Sequence, residues 1–311
     1  MGKIKYDLIT ILGPTACGKT RLAAHLASSI SGEIISADSR QIYKKMNLGT
    51  GKDYEDYIVN GKKIPYHLVD ILEPGYKFNV YEFQKYFLKV YKDIKARNNI
   101  PLLCGGSGMY IDAVTKGYKL MAVPQNIKLR KELESKSLKE LSKILSSYKK
   151  LHNITDTDTK KRAIRAIEIE EYYACHPESN YDYPEINNIF FGIKYDRITT
   201  RKRITERLQE RLKRGMVEEV QNLLKEGLGP EDLIYYGLEY KYITQYITGE
   251  LDYNTMVEKL NIAIQQFAKR QMTWFRKMER EGARINWFDG YMPMEEKILR
   301  AIKLIRDVRN F

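Results

Sequence analysis

The sequence predicts an α/β protein: a parallel β-sheet core, a helical insertion domain and a helical C-terminal part. Two observations predict this fold. Through the first third of the chain, apolar runs alternate with amphipathic runs at helical spacing, as in strands joined by crossover helices. In addition, a glycine-rich turn joins the apolar run at residues 8–12 to an amphipathic run that ends at Ile30. This order of strand, turn and helix indicates a P-loop NTPase-like core.

The turn has the spacing G-x-x-x-x-G-K-S/T of a phosphate-binding loop. Its glycines let backbone N–H groups point inward, and the N-terminus of the next helix adds partial positive charge. Lys19 is expected to contact the outer phosphates, and the Thr20 hydroxyl to hold a magnesium ion. A chance glycine turn is the alternative, and the spacing does not say whether the phosphate belongs to ATP. The predicted loop residues are Gly13, Pro14, Thr15, Ala16, Cys17, Gly18, Lys19 and Thr20.

The composition is that of an ordinary globular protein, with 43% hydrophobic and 30% charged residues in 311. This length suits one large domain, or a core domain with a smaller one. No apolar stretch has the length of a membrane span and no signal peptide opens the chain, which predicts a cytoplasmic protein without membrane contact. Cys17, Cys104 and Cys175 are far apart and the four histidines do not pair with them, so neither a disulfide framework nor a zinc site is predicted.

The net charge suggests a polyanionic partner. Lysine and arginine total 53 against 40 acidic residues, a formal net charge of +13. Such a surplus favours nucleic acid as a partner, although a solvated lysine-rich surface is the alternative. The sequence says nothing on assembly, so a monomer is the default expectation.

The remaining elements follow from periodicity and capping. Asn79 and Glu82 predict a capping box for a helix that runs to Arg97, with an apolar stripe along one face. The glycine cluster at residues 105–108 follows a strand but lacks the spacing of a dinucleotide-binding fingerprint. The predicted strands are residues 8–12, 33–37, 66–71, 101–104, 189–194 and 284–288. The later helices are predicted at residues 128–150, 158–173, 199–226, 238–248 and 254–280.

The middle of the chain interrupts the sheet pattern. No strand is predicted between residues 110 and 188, where two basic helices are followed by a linker at residues 176–188 that contains two prolines. The predicted division is residues 1–110 for the first part of the core, 111–188 for the insertion, and 189–311 for the rest of the core with the C-terminal helices.

Two polar residues are predicted on the rim that carries the phosphate loop. Ligands of open parallel sheets bind outside the carboxyl ends of the strands, where Asp38 and Ser107 follow the second and fourth strands. The Asp38 carboxylate suits a general base, but a helix N-cap or a partner of magnesium fits the spacing equally well. The Ser107 hydroxyl can donate to a phosphate oxygen or cap the next helix.

Basic residues cluster in two other places. Arginines recur along one helix in the second part of the core, at Arg203, Arg207, Arg211 and Arg214. Most such runs are solvated faces, but one or two of these guanidinium groups could reach the phosphate site. In the insertion, Arg130 and the basic run at residues 160–165 are candidate phosphodiester contacts. The 24 tyrosines could stack on bases, although packing in the core is their commoner role.

Together these motifs resemble the bacterial tRNA dimethylallyltransferases, also called tRNA isopentenyltransferases, nearly from end to end. The family usually has serine where this chain has Cys17. Besides the phosphate loop, the matching stretches are residues 36–43 (SADSRQIY), 46–52 (MNLGTGK), 65–70 (PYHLVD), 101–110 (PLLCGGSGMY), 161–168 (KRAIRAIE) and 268–276 (AKRQMTWFR).

The resemblance implies transfer of a dimethylallyl group from dimethylallyl diphosphate to N6 of the adenine 3′ of the anticodon, tRNA position 37. The phosphate loop then holds the diphosphate leaving group with magnesium, which Thr20 binds, and with Arg207. Asp38 matches the general base of the family, and Ser107 stands where threonine is common. The tRNA contacts that it implies are Asp38, Ser39, Arg40, Gln41, Ser107, Arg130, Lys161, Arg162, Ala163, Ile164 and Arg165.

This chain departs from the family pattern at one place, and three rival functions are compatible with parts of the sequence. The family often has G-Y-R where this chain has Gly237, Leu238 and Glu239, so no RNA contact is carried over there. The zinc finger of the longer eukaryotic relatives is missing from this sequence, which suggests the bacterial type. The rivals are a P-loop kinase of a small metabolite, a transferase that prenylates free adenine nucleotide, and a non-enzymatic RNA-binding module. The first rival leaves residues 268–276 and the basic insertion unexplained.

Overall fold

A computed structural model describes residues 4–149, 155–176 and 183–306. The chain divides into two compact units: residues 1–118 with 185–311, and residues 119–184. The strands are β1 Leu8–Leu12, β2 Gly32–Ser36, β3 Ile58–Val59, β4 Lys62–Lys63, β5 Tyr66–His67, β6 Ile100–Gly105, β7 Asn188–Lys194 and β8 Ile285–Asp289. The α-helices are α1 Lys19–Ile30, α2 Val80–Ala96, α3 Gly108–Thr115, α4 Ile127–Glu134, α5 Leu138–Tyr148, α6 Lys160–Cys175, α7 Arg197–Lys213, α8 Met216–Lys225, α9 Pro230–Tyr235, α10 Leu238–Ile247, α11 Tyr253–Arg280 and α12 Met294–Ile305.

The first unit is built on a six-stranded sheet in the order β5-β2-β6-β1-β7-β8. Every pairing in this sheet is parallel, and β1 lies between β6 and β7 with Thr10 opposite Leu103 and Phe190. The predicted α/β fold with a parallel core is confirmed. Because all strands run the same way, the residues that follow β1, β2 and β6 emerge at one edge of the sheet.

The core of this unit consists of buried strands covered by helices. Every residue of β1 is buried, as expected for a central parallel strand between two helical layers. The apolar stripe of α1, including Leu22 and Leu26, packs in one cluster with Ile9, Ile11 and Phe191. Burying each such side chain contributes about 1.5–3 kcal/mol. The sheet edge that carries the polar residues is thus supported by a rigid core.

The predicted third strand is shorter than expected. Residues 66–71 were predicted to be extended, but pairing ends at His67. Leu68 and Asp70 have φ values of 61° and 55°, in the left-handed region, which turns the chain out of the sheet. Asp70 accepts hydrogen bonds from Lys52 and Tyr54 there, so the turn places a carboxylate among buried polar groups.

Two predicted helices are each interrupted. The predicted helix at residues 128–150 is α4 followed by α5, because Ser137 starts α5 with a capping box to Glu140. The predicted helix at residues 199–226 is α7 followed by α8, separated by Gly215 at φ 99°, a conformation that favours glycine. By contrast, the predicted capping box of Asn79 is present at the start of α2.

The second unit is a small helical cluster of α4, α5 and α6 around Leu133, Leu141, Leu145 and Ile167. Its described residues contain no strand. Its bounds, residues 119–184, are narrower than the predicted 111–188, because α3 packs against α2 and β7 begins at Asn188. Part of the predicted linker, residues 177–182, lies outside the described residues.

None of the described helices has both the length and the apolar character that a membrane-spanning helix needs.

Candidate active site

The phosphate loop lies between β1 and α1, as predicted. Gly13, Ala16 and Gly18 have φ values of 152°, 62° and 84°, so the backbone curls through conformations that two glycines allow without strain. Gly18 occupies the N-cap position of α1, and no side chain caps the N-terminus of this helix. Lys19 folds back over the loop and donates to the Pro14 carbonyl oxygen at 2.7 Å. This is the geometry of an anion cradle with a cation at its rim.

Gln271 of α11 ties this loop to the loop after β6. Its Oε1 accepts the backbone N–H of Thr15 at 2.8 Å, while its Nε2 donates to the Gly106 carbonyl oxygen at 3.0 Å. Gln271 is buried, and a Cβ at Gly106 would lie 2.2 Å from its Nε2, so the approach requires glycine. One side chain therefore holds two loops of the sheet edge at a set distance.

Asp38 and Ser107 are brought together at the same edge. The backbone N–H of Ser39 donates to Ser107 Oγ at 3.3 Å, next to Asp38. The Asp38 Oδ1 accepts the N–H of Arg40 at 2.9 Å, whereas Oδ2 has no hydrogen bond to any described residue. No helix starts after Asp38, so the N-cap interpretation of this residue is wrong. Ser107 does precede α3, but its hydroxyl makes no capping hydrogen bond.

The segment after Asp38 is held by a half-buried carboxylate, that of Glu219. Glu219 of α8 accepts the backbone N–H groups of Asn47, Leu48 and Gly49 at 2.7–3.0 Å, and the Tyr240 hydroxyl at 2.8 Å. Three N–H donors on one carboxylate fix a turn without regular secondary structure. Glu219 thereby fixes the loop at residues 47–49, which follows Asp38 in the chain.

The four arginines of the α7 region have different environments. Arg203 donates to the Ala16 carbonyl oxygen at 2.9 Å, so it supports the phosphate loop. Arg207 pairs with Asp53 at 2.5 Å, and Arg211 is buried beside the same carboxylate at 3.6 Å. Burial raises the pKa of Asp53, but the charges of Arg207 and Arg211 outweigh burial and lower it overall. Arg214 is exposed.

A solvent-open cleft lies beside the phosphate loop and α7. Ala16 is the loop residue in its lining, together with the arginines Arg203, Arg207, Arg211 and Arg214 and the acidic residues Asp53, Glu55, Asp56, Glu206 and Glu210. Its guanidinium groups can bind the oxygens of a phosphate or diphosphate.

In the second unit, two predicted RNA contacts bind a buried carboxylate instead of lying free. Arg130 donates to both oxygens of Glu168 at 2.9 and 2.7 Å, and Arg165 donates to it at 2.5 Å. Burial raises the pKa of Glu168, but the hydrogen bonds from Arg130 and Arg165 outweigh burial and hold the pKa at about 2. Removing either arginine therefore weakens the compensation of a buried charge.

The other predicted RNA contacts differ in how exposed their side chains are. Ala163 and Ile164 are core residues of the second unit, so a contact of their side chains with RNA does not fit this structure. Lys161 and Arg162 are exposed, and Arg162 pairs with Asp158 at 2.5 Å. In the first unit, Gln41 donates to the Gly51 carbonyl oxygen at 3.0 Å, and Arg40 lies 5.0 Å from the ring centre of Tyr235.

The described residues contain no group of three or more histidine, cysteine or acidic side chains that could hold a metal ion. Cys17 and Cys104 are buried and Cys175 is exposed, all as free thiols. Burial raises the pKa of the Cys104 thiol to about 12.

Four partners of the predicted residues were not predicted from the sequence: Gln271, Glu219, Asp53 and Glu168. Gln271 stands within the matched stretch at residues 268–276, so a signal for it was present. Glu168 likewise ends the matched stretch at residues 161–168, whereas Asp53 and Glu219 stand in irregular or helical stretches where an acidic residue is normally solvated.

Comparison with known proteins gives concordant matches. The family model described as IPP transferase matches residues 41–278. The chain is 60% identical over 302 residues to tRNA dimethylallyltransferase 1 of Parabacteroides distasonis, covering 97% of this chain and 98% of that one. It is 50% identical to tRNA dimethylallyltransferase 2 of Trichlorobacter lovleyi, covering 91% and 92%.

Solved structures agree. The full-length tRNA isopentenylpyrophosphate transferase of Bacillus halodurans matches with a TM-score of 0.71 and 30% identity, over 97% of this chain and 96% of that one. A eukaryotic dimethylallyltransferase acting on tRNA, at 20% identity and a TM-score of 0.77 over 97% and 81%, shares the fold. The resemblance inferred from the motifs is confirmed: this chain belongs to the IPP transferase family.

Proposed function

We propose that this protein transfers a dimethylallyl group from dimethylallyl diphosphate to N6 of the adenine 3′ of the tRNA anticodon. The names of its relatives support this class of reaction. The observation that carries the proposal is the position of Asp38, which has one unpaired carboxylate oxygen on the sheet edge that bears the phosphate loop. A donor diphosphate and a proton acceptor on one edge are what an N-prenylation needs.

The phosphate loop binds the leaving diphosphate. As the allylic C–O bond breaks, the electron pair and its negative charge move to the diphosphate oxygen. Lys19, Arg207 and the loop N–H groups stabilise that charge, since they face it before the reaction starts. Ser107 donates to the diphosphate from the other side of the edge. Gln271 contributes by holding the loop in place.

Asp38 acts on the acceptor. The lone pair of adenine N6 is delocalised into the ring, which makes it a weak nucleophile. The new C–N bond forms as Asp38 Oδ2 accepts the proton that N6 gives up, so charge and atoms balance. The base leaves its stack to reach the edge, and an unpaired loop base costs less to extrude than a paired one.

The residues present fit a magnesium ion. Mg²⁺ usually keeps several waters and takes few protein ligands besides substrate phosphates, so a crowded cluster of acids is not required. The Thr20 hydroxyl, in the first turn of α1, has no hydrogen bond to any described residue and is the donor that would hold the ion. When bound, Mg²⁺ supplies charge neutralisation at the leaving diphosphate.

The tRNA contacts divide between the two units. On the first, the stretch of Asp38, Ser39, Arg40 and Gln41 together with Ser107 surrounds the extruded adenine. On the second, Lys161 and Arg162 bind the RNA backbone, because they are exposed cations. Arg130 and Arg165 are both paired with Glu168. Only the positive charge that this single carboxylate does not neutralise is available to attract RNA.

Donor choice separates this proposal from a small-molecule kinase. We expect dimethylallyl diphosphate to bind more tightly than ATP in the presence of magnesium, because the loop serves a leaving diphosphate and not a transferred phosphoryl group. Calorimetry with each ligand measures this difference. Tight ATP binding with phosphoryl transfer to a small acceptor would favour the kinase.

RNA binding by the second unit is tested by salt dependence. Replacing Lys161 and Arg162 together by alanine should weaken tRNA binding and lower the slope of log K against log salt, by about 0.7–0.9 for each lost phosphate contact. Affinity for dimethylallyl diphosphate should stay unchanged.

A matched control removes Lys139 and Lys143, two exposed cations of α5 in the same unit. The proposal expects this pair to leave the slope unchanged. If the variant at Lys161 and Arg162 binds tRNA with the wild-type slope, those residues form only a solvated helix face.

A further inference from the structure

Arg211 is a buried guanidinium without a full set of partners. The residue is only 8% exposed, and its Nε and Nη2 have no hydrogen-bond partner among the described residues. The Nη2 lies 3.6 Å from Asp53 Oδ1, which is an ion pair but too long for a hydrogen bond. Buried donors in native proteins are nearly always hydrogen-bonded, so these two groups call for a partner.

The guanidinium faces the space beside the phosphate loop. A small cavity is lined by Thr15, Ala16, Arg207 and Arg211, and the larger cleft shares the last three of these residues. Arg211 therefore borders both spaces into which the loop opens. A phosphate or diphosphate in the larger cleft would supply anionic oxygens to these donors.

Gly51 allows the two guanidinium groups to sit together. A Cβ at this position would lie 2.1 Å from Arg211 Nη2 and 3.0 Å from Arg207 Nη2, and its φ of +72° also favours glycine. Burial and the nearby charge of Arg207 together lower the pKa of Arg211 to about 10, against the opposing effect of Asp53 and Glu239. Arg211 thus remains charged at neutral pH. Two cations kept close together suit a ligand with several negative charges.

Glu239 places a carboxylate in the lining of the small cavity, together with Arg211. Burial raises the pKa of Glu239, and the charges of Arg211 and Arg207 oppose that rise. Glu239 and Asp53 are therefore the counter-charges that make a second buried arginine tolerable.

From this arrangement we infer that Arg211 is a second guanidinium that binds the leaving diphosphate beside Arg207. The inference rests on the proposed function, since it deepens the donor site of that reaction. Asp53 and Glu239 are positioning residues, which balance the charge of Arg211 and hold it toward the cavity.

Binding of inorganic pyrophosphate with Mg²⁺, measured by calorimetry, tests this assignment on the full chain. Arg211→Met should weaken pyrophosphate binding by about 10- to 100-fold, the range for a lost hydrogen bond to a charged group. Its affinity for tRNA should not change. The control is Arg201→Met, which removes an exposed charge from the same helix and should bind pyrophosphate as wild type does.

A double variant, Arg211→Met with Glu239→Gln, guards against misfolding, because it removes the cation and one of its counter-charges together. Weak pyrophosphate binding by the folded double variant supports the assignment. Wild-type affinity in either folded variant overturns it and leaves Arg211 a structural residue. If the wild-type protein itself binds neither pyrophosphate nor dimethylallyl diphosphate, the proposed function fails, and the assignment with it.

Discussion

Asp38→Asn is expected to lower the rate of prenyl transfer by about 10²–10⁴-fold, the range for losing a general base. The substitution is nearly isosteric, and the amide oxygen can still accept the N–H of Arg40 that the Oδ1 accepts at 2.9 Å. The turn after β2 should therefore keep its shape, while the proton of N6 loses its acceptor. Single-turnover rates with saturating donor and tRNA measure the effect.

Substrate affinities provide the control for Asp38. Calorimetry with dimethylallyl diphosphate and filter binding of tRNA should give values close to wild type, because the carboxylate acts on a proton and not on the diphosphate. Near-normal turnover in Asp38→Asn would contradict the base assignment. Asp38 would then serve only to hold the Arg40 turn.

Lys19→Met should slow the reaction by about 10²–10³-fold, comparable to the loss of one preorganised donor at a developing charge. Lys19 is half-buried and donates to Pro14 within the loop. In the proposed reaction its ammonium group stabilises the charge that the leaving diphosphate gains. The same measurement of single-turnover rate applies, with donor affinity determined separately.

Arg21→Met is the matched variant, because it removes an exposed cation from the first turns of the same helix. We expect it to react at nearly the wild-type rate. If both variants lose activity equally, the effect comes from general charge near α1. If neither loses activity, Lys19 only braces the loop through its bond to Pro14.

The core was predictable because its signals are local. A buried parallel strand needs a continuous apolar run, and β1 has one that is bounded by the glycine loop. The breaks between α4 and α5 and between α7 and α8 were harder to predict, since the basic and apolar periodicity continues through them. Yet Ser137 and Glu140 form a capping box that the sequence displays, and Gly215 is the kind of residue that ends helices. These two signals were outweighed by helical propensity.

The candidate site likewise contains some residues that could be predicted from the sequence and others that could not. Asp38 and Ser107 could be predicted beside the loop because parallel strands bring their carboxyl ends to one edge. Gln271 could not be predicted from spacing, since it meets Thr15 across 256 positions of sequence. Arg130 and Arg165 were predicted as contacts of the RNA backbone, and their shared partner Glu168 is buried where α4 and α6 pack together. Charge patterns in a sequence indicate which residues are basic, but pairing depends on the fold.

Transfer of a labelled prenyl group tests the central claim most directly. Purified protein is incubated with magnesium, dimethylallyl diphosphate labelled in the prenyl carbon, and unmodified tRNA with adenine 3′ of its anticodon. We expect the label to become attached to that adenine at N6, one group per tRNA, with release of diphosphate. The same tRNA with guanine at this position should receive none. Absence of label from the adenine tRNA, or equal labelling of free adenine nucleotide, would contradict the account.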